Sequence, residues 1–169
     1  MNDPIPAVQL YTDGACEVNP GPGGWAALLV GGGVRRAFAG GYRRTTNNRM
    51  ELRAVIEGLR AVPAGAGCVQ VVSDSKYVTE AVNQDWLESW ARNDFRKGTR
   101  ENADLWLQLR ELLGTHTVTF EWVKGHAEHP ENEECDRMAV AARQRPDLPA
   151  DTGFEDPGAT NAQLGLTLL

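Results

Sequence analysis

Polar and apolar residues alternate along VQLYTDGAC, residues 8 to 16. Val8, Leu10 and Thr12 fall on one face, and Gln9, Tyr11 and Asp13 on the other. A period of two marks a β-strand, so residues 7 to 16 are predicted as one. GWAALLVGGG and VRRAFAGGYR continue in the same manner and are joined through Gly31-Gly32-Gly33, a hairpin signal. The period then lengthens. In TTNNRMELRAVIEGLRAV, the residues Met50, Leu52, Val55, Ile56 and Leu59 form one apolar stripe at helical spacing. Asn48 with Glu51 three residues on resembles a capping box, and Pro63 and Gly65 end the helix. CVQVVSD is short and mostly apolar, the pattern of a strand buried on both faces. SKYVTEAVNQDWLESWARN is predicted helical in two pieces, FRKGTREN a polar, basic break, and ADLWLQLRELLG an amphipathic helix. TVTFEWVKG alternates again, with Val118, Phe120 and Trp122 against Thr117, Thr119, Glu121 and Val123. HAEHPENEE reads as a loop and residues 131 to 143 as a last helix. The order βββ-α-β-α-α-β-α predicts an α/β fold, a mixed sheet of three antiparallel strands followed by αβ units, with helices packed on it.

From Pro146 the chain turns Pro-, Gly- and Asp-rich with little aromatic content. The expected organisation is a domain over residues 1–146 and an acidic, disordered tail over 147–169. Hydrophobic residues make up 41% of the chain, enough for an ordinary core. No apolar run approaches the roughly 20 residues that span a bilayer. MNDPIPAVQ lacks a basic region followed by an apolar stretch, so no signal peptide is expected. Cys16, Cys68 and Cys135 are odd in number and widely spaced, which fits a reducing compartment. A cytoplasmic protein is expected. The net charge of −6 argues superficially against a nucleic-acid partner. However, the last 23 residues hold four acids and no Lys or Arg, leaving 17 basic against 19 acidic residues in the rest. Charge alone decides nothing.

Four acids stand out by position. Asp13 is built into a strand, where its short charged side chain packs badly. Glu51 begins the first helix, Asp74 ends the buried strand VQVVSD, and Asp136 lies in the last helix. Each has a bland reading. Asp13-Gly14 suits a turn, Glu51 a capping box, Asp74-Ser75 a strand-to-helix cap, and Asp136 a solvated helix face beside Glu131, Glu133 and Glu134. Their conjunction points further, because the ends of central strands are where α/β proteins place ligand chemistry. Four converging carboxylates repel one another unless protonated or neutralised. The remedy for an all-oxygen set is a hard divalent cation, Mg²⁺ or Mn²⁺. Two such ions about 3.5–4 Å apart form a clamp for in-line phosphoryl displacement.

The segments YTDGAC-x-x-NPGPGG, GYRRTTNNRMEL, SDSKYV, NADLW, EWVKGHAEHPENEECDRMA and DTGF together resemble bacterial ribonuclease H of type I. They cover residues 8 to about 154 in the family's order. The resemblance implies the ribonuclease H-like mixed five-stranded sheet. It implies an endonuclease that cuts the RNA strand of RNA–DNA hybrids with two Mg²⁺ ions, leaving 5′-phosphate and 3′-hydroxyl ends with little sequence preference. Asp13 would bridge both ions, Glu51 and Asp74 would hold one, and Asp136 the other. His126 matches a loop histidine that shuttles protons or assists product release. Asn19 and Asn47 match residues facing the minor groove of the hybrid, where the 2′-hydroxyl distinguishes RNA from DNA. Arg44, Thr46 and Asn102 match a pocket for a DNA-strand phosphate, and Tyr77 and Trp86 match aromatic positions beside the DNA sugars. A monomer is expected, with no membrane partner.

The chain departs from the family pattern in WLESWARNDFRKGTREN. Four basic residues (Arg92, Arg96, Lys97, Arg100) meet three acids (Glu88, Asp94, Glu101) where many members carry a strongly basic protrusion. A looser, less salt-sensitive grip on hybrid is expected. Lys76 also stands where some members have Gln. Two other readings compete: a DNA exonuclease or integrase-like enzyme with the same carboxylates, and a non-catalytic hybrid-binding module. TTNNRMEL and NPGPGG count against the first, and the presence of all four acids counts against the second.

Overall fold

The alternating segments pair as their turns dictate. The computed structural model describes residues 6–125 and 128–158. Five strands, β1 (Val8–Cys16), β2 (Gly21–Gly31), β3 (Val34–Thr45), β4 (Cys68–Ser73) and β5 (Thr117–Trp122), form one sheet of order β3-β2-β1-β4-β5. β1 pairs antiparallel with β2, and β2 with β3, whereas β1–β4 and β4–β5 are parallel. Gly31 pairs with Val34, leaving Gly32 and Gly33 as a two-residue turn with φ of 59° and 77°. Positive φ at both positions is what a type I′ hairpin demands and glycine permits. The helices are α1 (Asn47–Ala61), α2 (Lys76–Asn83), α3 (Trp86–Arg92), α4 (Asp94–Lys97), α5 (Ala103–Thr115), α6 (Pro130–Arg143) and α7 (Thr152–Glu155). The two-piece helix expected over residues 75–93 breaks at Asp85, whose φ of 57° is left-handed.

The sheet buries both faces. Val8 and Leu10 enter the larger core with Leu52, Val55, Ile56 and Leu59 of α1 and Leu105, Trp106 and Leu109 of α5. On the other face Ala15, Ala26 and Leu28 pack on Cys135 and Ala139 of α6, with Tyr11 alongside. Asp13 shares the parity of Tyr11 and Ala15, so it lies on the face that α6 covers.

Three expectations change. The cap of α1 is Thr46, not Asn48. Its Oγ1 accepts from Arg49 N at 3.3 Å, as short hydroxyl caps do. Glu51 therefore lies in the second turn, beyond reach of the cap, and is buried. Trp122, grouped with the inward Val118 and Phe120, is 42% exposed. Its indole N–H donates to Asp74 O at 2.9 Å, and the Lys76 ammonium sits 4.9 Å from its ring centroid. Finally, the ordered chain does not stop at residue 146. Residues 147–158 fold back on the domain, and Asp151 is 1% exposed. The reason is electrostatic: a buried cation needs this acid.

That cation is Arg49. Its guanidinium donates to Asp104 through two bonds of 2.8 and 2.7 Å and to Asp151 through two of 2.7 and 2.9 Å. Burial opposes its charge, but Asp104 and Asp151 raise its pKa above the ordinary arginine value. Burial likewise works against the Asp151 carboxylate, but the bonds and charge of Arg49 and the Thr45 hydroxyl at 2.7 Å hold it below the usual range. The cluster joins the end of β3, the first turn of α1, the start of α5 and the C-terminal segment. Charge-assisted, bidentate pairs of this kind are strong only while complete. Arg49→Leu leaves two carboxylates buried without a cation and is expected to cost about 3–5 kcal/mol in urea unfolding. Arg60→Leu, which removes an exposed pair with Glu57, is expected to cost under about 1 kcal/mol. Equal effects would contradict this account of the cluster.

Candidate active site

Parallel pairing of β1 with β4 decides where the first two acids meet. Their ladder ends with Thr12 opposite Ser73, so Asp13, within β1, and Asp74, just past the end of β4, both follow its last pair. Glu51 arrives from α1, and Gly14 admits it. A Cβ at position 14 would lie 2.6 Å from Glu51 N and 2.7 Å from the Met50 carbonyl carbon, so any side chain there would push α1 off β1. Asp13, Glu51 and Asp74 each present a carboxylate oxygen, all within 4.8 Å of one another. Asp136 of α6 stands outside this tight group. It lines a small cavity with Asp13 and Asp74, together with His129, Asn132 and Glu133.

Burial and crowding set the protonation of these acids. Burial, then the charges of Asp74 and Asp136, push the Asp13 carboxyl up to about 8. The Gly14 N–H, 2.9 Å from Asp13 Oδ1, opposes this only in part. Glu51 is raised well above the usual carboxylate range by burial, then by Asp13 and Asp74. Glu51 Oε2 and Asn132 Oδ1 are buried with no hydrogen-bond partner among the described residues. Unpaired acceptors beside crowded carboxylates are the complement of a hard divalent cation. The tight group contains no thiolate or imidazole, which disfavours zinc.

A second set of residues flanks the acids. Asn19 Oδ1 accepts from the backbone N–H of Asn47 at 3.0 Å, which holds the Asn19 side chain at the start of α1. Thr46 and Asn102 line a cavity of about 380 Å³ together with Gly153, Phe154 and Pro157. The Arg44 guanidinium lies over the Phe154 ring, 5.5 Å from its centroid. Asn102 Nδ2 donates to the Tyr77 hydroxyl at 2.9 Å, and Asn102 Oδ1 accepts from Arg49 at 3.3 Å. Tyr77 and Trp86 line a neighbouring cleft of about 310 Å³ with Trp90, Trp106 and Arg100. The Arg100 guanidinium sits 4.3 Å from the Trp90 ring centroid. His126 lies outside the described residues.

Sequence reasoning missed His129, Asn132 and Glu133 as neighbours of the acids. His129 stands at the N-cap of α6, and Asn132 and Glu133 lie in its first turn, one turn before Asp136, in a run of acids that reads as a solvated helix face. It also gave no role to Arg49, Asp104 and Asp151. Those three sit in TTNNRMEL, NADLW and DTGF, segments singled out only for the resemblance they carry.

The raised Asp13 carboxyl has a consequence for stability. Unfolded, its pKa is about 3.9; folded, it is about 8. Between these values the folded chain holds a proton that the unfolded chain releases, so stability is lost as pH rises. In the presence of a chelator, unfolding free energy is expected to fall between about pH 5 and 8. Asp13→Asn flattens that fall and stabilises the protein at high pH by on the order of 1–3 kcal/mol. Urea melts across this pH range check both; a slope that Asp13→Asn leaves intact would contradict the assignment.

Comparison with known proteins agrees with this architecture. The family model described as RNase H matches residues 6–144. A ribonuclease H of Oleidesulfovibrio alaskensis is 51% identical over 148 residues, 86% of this chain and 96% of that protein. One of Rippkaea orientalis is 45% identical over 161 residues, 94% of this chain and 98% of that protein. Among solved structures, LC9-RNase H1, a type 1 RNase H with the type 2 active-site motif, superimposes with a TM-score of 0.72 at 32% identity, covering 100% of this chain and 88% of that one. The chain thus belongs to the RNase H family of enzymes.

Proposed function

We propose that this enzyme hydrolyses the RNA strand of RNA–DNA hybrids at the Asp13–Glu51–Asp74–Asp136 site, with two Mg²⁺ ions, giving 5′-phosphate and 3′-hydroxyl ends. The observation that carries the reading is the packing of three carboxylate oxygens within 4.8 Å of one another. Asp13 would touch both ions, Glu51 and Asp74 would hold one, and Asp136 the other. Bound there, the ions lower the pKa of an attacking water and offset charge building on the phosphate. Mn²⁺, with the same preference for oxygen, is a possible substitute.

The remaining residues orient the substrate. Asn19 is bonded to Asn47, which precedes Glu51 by one turn of α1, and side-chain amides can both donate to and accept from a 2′-hydroxyl. Thr46 and Asn102 line the 380 Å³ cavity, and Arg44 stacks on the Phe154 ring that also lines it, as a seat for a DNA-strand phosphate. Tyr77 and Trp86 offer ring faces to the DNA sugars. All these contacts address backbone and groove shape, so little sequence preference follows. His126, by its place in the resemblance, moves a proton during attack or product release, as a group with a pKa of about 6.5 can. A monomer in the cytoplasm fits three free cysteines and the lack, among the described residues, of any helix long and apolar enough to cross a membrane.

The test is cleavage of a hybrid with its RNA strand end-labelled, beside duplex DNA and duplex RNA. Mg²⁺-dependent cutting of the hybrid alone is expected. Asp13→Asn is expected to lower kcat at least about a thousandfold, the equivalent of several kcal/mol of lost charge stabilisation, with hybrid binding retained. Full activity in that variant, or equal cutting of duplex DNA, would overturn the reading.

A further inference from the structure

The C-terminal segment 147–158 lies beyond the residues that the RNase H family model matches, which end at 144. Its contacts converge on the cavity assigned above to a DNA-strand phosphate. We infer that this segment completes that cavity, with Phe154 and Asp151 as positioning residues for Arg44 and Asn102. The inference rests on the phosphate assignment made under the proposed function.

Arg44 reaches the cavity through Phe154, which lines it. Both chain neighbours of Arg44 are tied to the segment. Arg43 N donates to Pro149 O at 2.9 Å, and the Arg43 side chain pairs with Glu155 at 3.1 Å. On the other side, the Thr45 hydroxyl donates to Asp151 Oδ2 at 2.7 Å. Arg44 itself is exposed, and its guanidinium rests on the Phe154 ring. A planar cation over a ring face gains about 0.5–1 kcal/mol at an exposed site and loses rotamer freedom. A long side chain that would otherwise sample many conformers is thereby parked on a ring that lines the cavity.

Asn102, also in the lining, is held through Arg49. Asp151 accepts from Arg49 Nε and Nη2, and Arg49 Nη1 reaches Asn102 Oδ1 at 3.3 Å. That contact fixes which end of the Asn102 amide is the acceptor. One of its N–H bonds goes to Tyr77, leaving the second for a phosphate oxygen. Arg49 is answered by two buried carboxylates, so its contribution to the cavity is geometric, and the charge offered to a phosphate comes from Arg100 in the lining and from Arg44 on the Phe154 ring. The segment's backbone also seats directly on the cluster. A Cβ at Gly153 would lie 1.9 Å from Asp104 Oδ2 and 2.6 Å from Arg49 Nη2. Asp151 O, accepting from Phe154 N at 3.0 Å and Glu155 N at 2.8 Å, then starts α7 and sets the Phe154 ring at the cavity.

The experiment uses a series of hybrids in which one DNA-strand phosphate at a time is replaced by a neutral methylphosphonate. For the wild-type protein, one linkage is expected at which replacement raises KM about tenfold, the loss of one charge-assisted contact. Phe154 is half-buried, so its variants keep the ion cluster and are expected to fold, which thermal melting confirms. Phe154→Ala is expected to raise KM on the unmodified hybrid about fivefold, with the smaller share of the loss on kcat, and to shrink the penalty at the special linkage to about twofold or less. Phe154→Trp restores both. Asp151→Asn is expected to erase the same penalty, as a second route to the cavity; if it unfolds, the Phe154 pair decides. An undiminished penalty in Phe154→Ala would overturn the inference. A wild-type protein that cuts hybrid but shows no special linkage would overturn it together with the phosphate assignment. A wild-type protein that cuts no hybrid would remove the function as well.

Discussion

Like charges buried together in protein repel more strongly than they do in water, and this fold forces that arrangement on Asp13, Glu51 and Asp74. Asp13 and Glu51 are almost wholly buried, and three carboxylate oxygens lie within 4.8 Å of one another. Nothing in a folding chain gains from such crowding for its own sake. The arrangement persists because the backbone over-determines it. Asp13 and Asp74 follow the last pair of a parallel ladder, and Gly14 lets α1 press Glu51 against them. The tension is relieved by protons or by a cation, and only a cation leaves the acids ionised at neutral pH.

Rigidity around the acids comes from the opposite electrostatic solution. Arg49 neutralises part of the charge of Asp104 and Asp151, and the bonds among them staple β3, α1, α5 and the C-terminal segment together. Arg49 lies two residues before Glu51 on α1. The complete charge cluster and the frustrated one are thus mounted on the same helix. The first fixes the start of that helix, and the second is where its chemistry is expressed.

Much of this was legible in the sequence. Alternation along residues 8–16 placed Asp13 on the face opposite Leu10, and the structure puts it there, under α6. The Gly31-Gly32-Gly33 run marked the hairpin, and the helical stripe Met50 to Leu59 marked α1. Less local features were not legible. The cap expected at Asn48 falls instead at Thr46, because cap choice depends on where β3 ends. Trp122 matched an inward alternation, but β5 is an edge strand whose last side chain lies over Lys76. Asp151 looked like tail because its burial depends on an arginine about 100 residues earlier, a long-range pairing that composition cannot reveal. The four acids could be named from the resemblance, but their proximity rests on a register visible only in three dimensions.

The claim that a cation relieves buried, proton-holding carboxylates is tested most directly by the protons it displaces. Mg²⁺ titrated calorimetrically at pH 7 into chelator-treated protein, in buffers of differing ionisation enthalpy, reads the number released. With Asp13 near 8 and Glu51 also raised before binding, the account predicts release of at least about one proton per protein. It also predicts that the release is smaller in Asp13→Asn, where only Glu51 is left to hold a proton. A binding heat independent of buffer, or the same release in that variant, would contradict it.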